Sequence, residues 1–310
     1  MTNVTPSSPI PSPERILITG ASGNVGLETL RELMKHPDKF RFEVIAGVRD
    51  VSAWKEPIKP DGFAVLDFTN SGTFDAALSG VSRVLLVRPP QLADVDKQFR
   101  PFTNAMKRAG VRQVVFLSLQ GVENNFLTPH HKIEKLIVES GLPFTFLRPS
   151  FFMQNLSTTH RDEIRLRDEI FVPAGNGRTS FVDVRDIGAV AALTLTSSTG
   201  EYLHRGYELT GSEALTYGEV AAIMTTTLGR KITYRDPSVL RFIWQKWRQE
   251  GTPLGFTMIM VALYTVSKLG KASRLTKETE LLLGRPPITF RQFAAEIGRA
   301  SCRERVCSTV

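Results

Sequence analysis

The sequence predicts an α/β protein: a doubly wound parallel Rossmann sheet with a small, mainly helical C-terminal cap. Three observations carry that expectation. Short apolar runs alternate with stretches of helical periodicity, the first run leads into a glycine-rich turn, and the regular alternation decays after about residue 150.

Taken in order, RILIT (15–19) is an apolar strand. GASGNVG then opens a helix in which Val25, Leu30, Leu33 and Met34 recur at roughly helical spacing. Further strands read at FEVIAGV (42–48), FAVLDF (63–68), RVLLVR (83–88), QVVFLS (113–118) and FTFLRP (144–149). Helices read at 94–110 and 129–141, with Gly110 and Gly141 placed as C-caps. Beyond residue 150 come helices at 182–197 and 216–229 and one strand candidate, GYELTG (206–211). The domain plan is a disordered leader (1–14), a NAD(P)-binding Rossmann core (15–150), a substrate-binding cap interleaved with it (151–296) and a non-native tail (297–310). The tail reading rests on IGRASCRERV, which resembles a translated sequencing adapter.

The 310 residues are 42% hydrophobic and 23% charged, ordinary for a soluble globular protein. A net charge of +8 is scattered rather than striped, so nucleic acid is not expected as a partner. The longest apolar run, LGFTMIMVALYTV (254–266), is too short and interrupted for a membrane span and reads as a buried helix. With no secretory leader in MTNVTPSSPIPSPER, the expected location is cytoplasmic. Cys302 and Cys307 lie in the last nine residues, so neither a structural disulfide nor a metal cluster organises the core. The basic, aromatic DPSVLRFIWQKWRQEG (236–251) reads as a dimer face or a cap helix.

The chemistry begins at TGASGNVG. Gly20, Gly23 and Gly26 let the backbone turn tightly and approach a pyrophosphate held by the N–H groups at the helix start, with Ala21, Ser22, Asn24 and Val25 completing the cofactor loop. The second strand ends in Arg49 and Asp50 rather than in an acidic residue at its tip. An arginine there can pair with a 2′-phosphate, so NADP(H) is favoured, with NAD as the second option. Asp67 and Phe68 end the third strand where they could flank the adenine. RPSFFMQN (148–155) leaves the sixth strand towards the cap; Phe151, Phe152 and Met153 offer an apolar wall for a flat aromatic ligand and Asn155 an orienting amide. The same residues could equally pack cap onto sheet. Asp183 stands at a helix start as an N-cap, and Asp186 is a weaker candidate for any role.

The combination of TGASGNVG, VRD, HHKIEKLIVESGLPFTFLRPSFFMQN and YELTGSEALTYGEVA resembles the NmrA-like atypical short-chain dehydrogenases/reductases, over residues 15 to about 295. That group includes triphenylmethane-dye reductases, NADPH quinone reductases and redox-sensing regulators. In the wider superfamily a Tyr and a Lys four residues later act as acid and electrostatic support. Aligning on Glu134 puts Phe126 and His130 there, so the pair is absent, while Ser118 matches the usual serine.

Reduction of an alkyl ketone needs a placed proton donor, whose loss costs on the order of a hundredfold. A quinone, azo compound or dye spreads the incoming charge, and stacking against the nicotinamide then supplies most of the catalysis. If a donor is used, His130 is the candidate, since an imidazole with an ordinary pKa exchanges protons near neutrality. His130 and His131 are not a metal pair, because adjacent helical residues point about 100° apart. Lys132 could reach the cofactor's ribose or phosphate. The resemblance implies an NADPH-dependent reductase acting on a small aromatic or quinone-like substrate, with a homodimer left open. Its alternative is a non-catalytic dinucleotide sensor working through a protein partner.

Overall fold

The computed structural model describes residues 13–297. The two cysteines and all but two residues of the expected leader lie outside the described residues, as does the tail beyond its first residue. Glu14 already opens the first strand, one residue before the expected core boundary.

Seven parallel strands make the central sheet: β1 (Glu14–Thr19), β2 (Phe42–Val48), β3 (Gly62–Val65), β4 (Val81–Val87), β5 (Gln113–Leu117), β6 (Phe144–Pro149) and β10 (Arg205–Leu209). Their order is β10-β6-β5-β4-β1-β2-β3, so the chain reverses direction across the sheet between β1 and β4. Buried on both faces, the strands carry near-continuous apolar runs rather than an alternating pattern. Ile16, Leu17 and Ile18 of β1, for example, lie beside Val44, Ile45 and Ala46 of β2, all six buried.

Helices α1 (Asn24–Met34) and α6 (Val184–Thr196) cover one face. There Ile18, Leu30, Leu33, Val115, Ile187 and Ala191 share a core. The two helices meet closely because position 188 is glycine: a Cβ there would sit 2.8 Å from the backbone carbon of Glu28. Helices α3 (Val95–Arg108) and α4 (Pro129–Ser140) cover the other face, after the short α2 (Phe74–Ala77). Asp94 caps α3 by accepting from Lys97 N at 3.1 Å, and Thr128 caps α4 by accepting from His131 N at 3.3 Å. Gly141 closes α4 in the left-handed region, as the sequence predicts.

The cap gathers α5 (Arg161–Arg167), α7 (Tyr217–Leu228), α8 (Val239–Ile243), a π-helical turn (Trp244–Gln249) and α9 (Leu254–Lys268), with α10 (Glu278–Leu283) lying back against α6. Short strands β7 (Phe151–Phe152), β9 (Thr179–Val182) and β11 (Ala214–Leu215) form one small sheet, and β8 (Glu169–Phe171) pairs with β12 (Thr233–Arg235). The chain returns to the central sheet twice after residue 150, as α6 and as β10 beside β6.

One expectation is corrected here. Residues 254–266 form a helix, but not a buried one. Only Thr257, Met260, Tyr264 and Ser267 of α9 are buried, while Leu254, Met258, Ile259, Leu263 and Val266 are 40–49% exposed. No helix among the described residues is long and apolar enough to cross a membrane.

Candidate functional site at the carboxyl edge of the sheet

The loop after β1 is built by its glycines. Gly20 sits at φ +62°, and its carbonyl accepts from Gly23 N at 2.9 Å. A Cβ on Gly26 would lie 2.2 Å from that same carbonyl oxygen, so no side chain fits. Gly23 is the N-cap of α1 and supplies no side-chain acceptor, which leaves the first N–H groups of the helix available to an anion. Ser22, Gly23 and Asn24 are exposed around this cradle, whereas Ala21 and Val25 are buried beneath it and can offer a ligand only backbone. Residues of this kind fit a dinucleotide pyrophosphate.

At the end of β2, Arg49 is exposed and forms no ion pair or hydrogen bond among the described residues, though its charge is felt at Asp67. Asp50 instead caps the following turn, accepting from Ser52 N and Oγ, and those bonds hold its carboxyl below the usual range. Asp67 closes a similar turn on Thr69 N and Oγ1, which lowers its pKa. Phe68 is a correction. Its ring is buried among Phe74, Phe99 and Phe102, with centroids 5.1–6.5 Å apart, so it cannot flank an adenine.

The order of strands fixes which end of a dinucleotide goes where. With pyrophosphate on the β1 loop and the 2′-phosphate towards Arg49 at β2, the nicotinamide must run towards the ends of β4 and β5. Ser118 follows β5 at that place. Its Oγ is buried without a hydrogen-bond partner. Thr19 Oγ1, accepting from Val87 N at 2.8 Å, ties the end of β1 to that of β4.

His130 lies in the first turn of α4 with its ring 6.1 Å from that of Phe116 on β5. Burial first, and the nearby positive charge of Arg88 second, depress its pKa from 6.5 to about 3. This overturns the expectation of an imidazole that donates a proton near neutrality. The ring is neutral there and can offer a ligand one N–H and one lone pair. His131 faces elsewhere, its Nδ1 3.1 Å from the Val122 carbonyl oxygen. No group of His, Cys, Asp and Glu among the described residues could hold a metal ion.

Two more positions singled out in the sequence are exposed. Lys132 shares the exposed face of α4 with Lys135 and Glu139, and its ammonium has no partner among the described residues. Phe126, at the position of the superfamily tyrosine, is 67% exposed and packs edge-on to His131. Glu134, the alignment anchor, is a buried structural residue that accepts two bonds from Arg148 at 3.0 and 2.7 Å and fastens α4 to β6.

At the seam with the cap, Phe151 and Phe152 are half-buried; Phe152 packs on the sheet's core and Phe151 on the cap's. Met153 is 1% exposed inside the cap, so it is no part of a ligand wall. Asn155 is half-buried. Asp183 is an N-cap as expected, accepting from Arg185 N at 2.9 Å. Asp186 is buried and paired with Arg285, and burial raises its pKa. A cleft at the sheet's amino edge is lined by Arg83, Arg112, Gln113 and Tyr202; there Arg83 already holds Glu14, Gln113 and the carbonyls of Leu195 and Ser197.

Sequence reasoning missed Arg88, which follows β4 at the carboxyl edge. An arginine ending the apolar run VLLV just before two prolines was the available signal.

The doubly wound sheet and its glycine loop define a Rossmann-type protein with a cap at the carboxyl edge. The chain belongs to the NmrA-like family, which it matches over residues 12–267. It is 31% identical over 290 residues to NAD(P)H azoreductase of Xenophilus azovorans, covering 90% of this chain and 96% of that protein. It is 28% identical over 281 residues to prestalk A differentiation protein A of Dictyostelium discoideum, covering 91% of each. In fold it is similar to the NADPH-dependent quinone oxidoreductase of Escherichia coli in its complex with NADPH. That likeness has a TM-score of 0.78 at 24% identity and covers 91% of this chain and 99% of the other.

Proposed function

We propose that the protein is an NAD(P)H-dependent reductase that passes hydride to a small conjugated acceptor such as a quinone, azo compound or dye. The observation that carries this reading is the pairing of an intact dinucleotide cradle with a carboxyl edge that lacks a strong acid. Gly20, Gly23 and Gly26 fit the pyrophosphate and Arg49 the 2′-phosphate, so NADPH is the preferred cofactor and NADH the second. Bound there, the nicotinamide supplies the hydride. The residues near its expected position are Ser118 and a neutral His130, which can orient an acceptor by hydrogen bonds but hold no proton to release at pH 7 as an imidazolium would. An acceptor that delocalises the arriving charge and takes its proton from water suits such a site. The azoreductase relative supports the same class of acceptor. The proposal extends to a cytoplasmic enzyme; a homodimer remains part of it.

Anaerobic oxidation of NADPH and NADH, followed at the nicotinamide absorbance with quinones, azo compounds and a triphenylmethane dye, tests the reading. Saturable turnover preferring NADPH is expected. Tight dinucleotide binding with no turnover of any acceptor would replace it with the sensor reading, in which a protein partner responds to the cofactor.

A further inference from the structure

Resting on that reading, the structure also bears on what the acceptor carries. Four partly buried arginines can be compared. Arg83 holds Glu14, Arg148 holds Glu134 and Arg185 holds Asp183. Arg88 holds no carboxylate among the described residues. One terminal nitrogen donates to the carbonyls of Pro89, Pro90 and Leu92 at 3.0, 3.1 and 2.9 Å, while Nε is buried with no acceptor. Burial with no compensating anion lowers its pKa. A guanidinium in this condition keeps its charge, and an unpartnered donor in a desolvated place is costly unless a ligand completes it.

Its place says which ligand. Arg88 follows Val87, which pairs with Leu117 just before Ser118, so the two residues are neighbours on adjacent strand ends. Leu86 and Phe116, two residues earlier on each strand, both face the α3 and α4 side, and the pleat puts Arg88 and Ser118 on that side as well. The charge of Arg88 is felt at His130, across β5 and away from the glycine loop. This is the nicotinamide half of the edge, where an acceptor must lie to receive hydride, and not the pyrophosphate half.

We propose that Arg88 recognises an anionic substituent on the acceptor, so that the preferred substrates are conjugated molecules bearing a carboxylate, sulfonate or phosphate. A bidentate pairing through Nε and the second terminal nitrogen would complete the guanidinium.

The test compares azobenzene-4-carboxylate with its neutral 4-carboxamide, using wild type, Arg88→Gln and Arg88→Lys. Gln keeps a donor for the loop carbonyls and removes the charge; Lys keeps the charge. Wild type should prefer the carboxylate, and Arg88→Gln should lower kcat/KM for the carboxylate about tenfold or more beyond any loss for the carboxamide, mainly through KM. Arg88→Lys should retain part of the preference. Equal losses for both acceptors, or a parallel loss of NADPH affinity by nicotinamide fluorescence, would make Arg88 a loop pin or a cofactor contact and overturn the proposal. If wild type turns over neither compound, the reductase reading fails only if the quinones and the triphenylmethane dye are refused as well. Binding of the two compounds to the NADP-loaded protein, read from their visible spectra, then still decides: a carboxylate that binds no tighter than the amide, or whose binding Arg88→Gln leaves unchanged, rejects the anion site.

Discussion

At the residue scale the cofactor cradle turns on Gly26. A methyl group there meets the Gly20 carbonyl oxygen at 2.2 Å, so Gly26→Ala must open the loop, and a loss of NADPH affinity of tenfold or more is expected from fluorescence titration. Arg49 governs a different property. Arg49→Glu should weaken NADPH by about tenfold to a hundredfold and NADH far less, because only the former carries the 2′-phosphate; equal effects on both would remove Arg49 from that role. His130 has a pH signature. The unfolded chain protonates this imidazole below pH 6.5, and the folded chain refuses the proton until about pH 3. The group therefore has no effect on stability above pH 6.5 and lowers stability as the pH falls from there towards 3, by at most about 1.4 kcal/mol per unit. Urea unfolding of His130→Asn between pH 7 and 4.5 should show a shallower decline than wild type; identical slopes would contradict the depressed pKa.

At the scale of elements, the cap is fastened by a buried ionic cluster that the sequence did not suggest. Glu163 of α5 lies between His160, whose Nδ1 is 2.7 Å away, and Lys246 of the π turn, which also donates to Glu250 at 2.8 Å. His160 Nε2 reaches the hydroxyl of Tyr264 on α9, so one network joins three helical segments. Glu163 and Lys246 are each 2% exposed. Removing the cation leaves a buried carboxylate short of its partner, so Lys246→Met should cost about 3 kcal/mol, read as a lower urea midpoint. NADPH affinity should persist, since the cradle belongs to β1 and α1. A midpoint that does not move would show that water reaches Glu163.

For the whole molecule, three apolar clusters back one edge: one on each face of the sheet, and the cap's own around Phe171, Tyr217, Phe242 and Phe290. A dinucleotide bound at the edge should stabilise the fold as a unit. At a hundredfold excess over Kd the gain is about 2.7 kcal/mol, visible as a rise of several degrees in Tm, with NADPH exceeding NADH at equal concentration. The outward apolar face of α9 was not legible in the run LGFTMIMVALYTV, because hydrophobicity without a polar stripe cannot say which side of a helix faces the core.

The sequence alone determined the alternation of strands and helices and the glycine cradle, because each is written in neighbouring residues and backbone sterics; the absence of the Tyr–Lys pair is what the family resemblance implies. The tertiary structure alone decided which of the marked side chains meet. It buried Phe68 and Met153, turned Lys132 outward, and set Arg88, which pairs with no carboxylate among the described residues, near a half-buried His130 whose pKa desolvation first and that charge second depress. Arg88, Ser118 and His130 come from separate elements, and their charge states depend on distance and desolvation, which exist only once those elements pack.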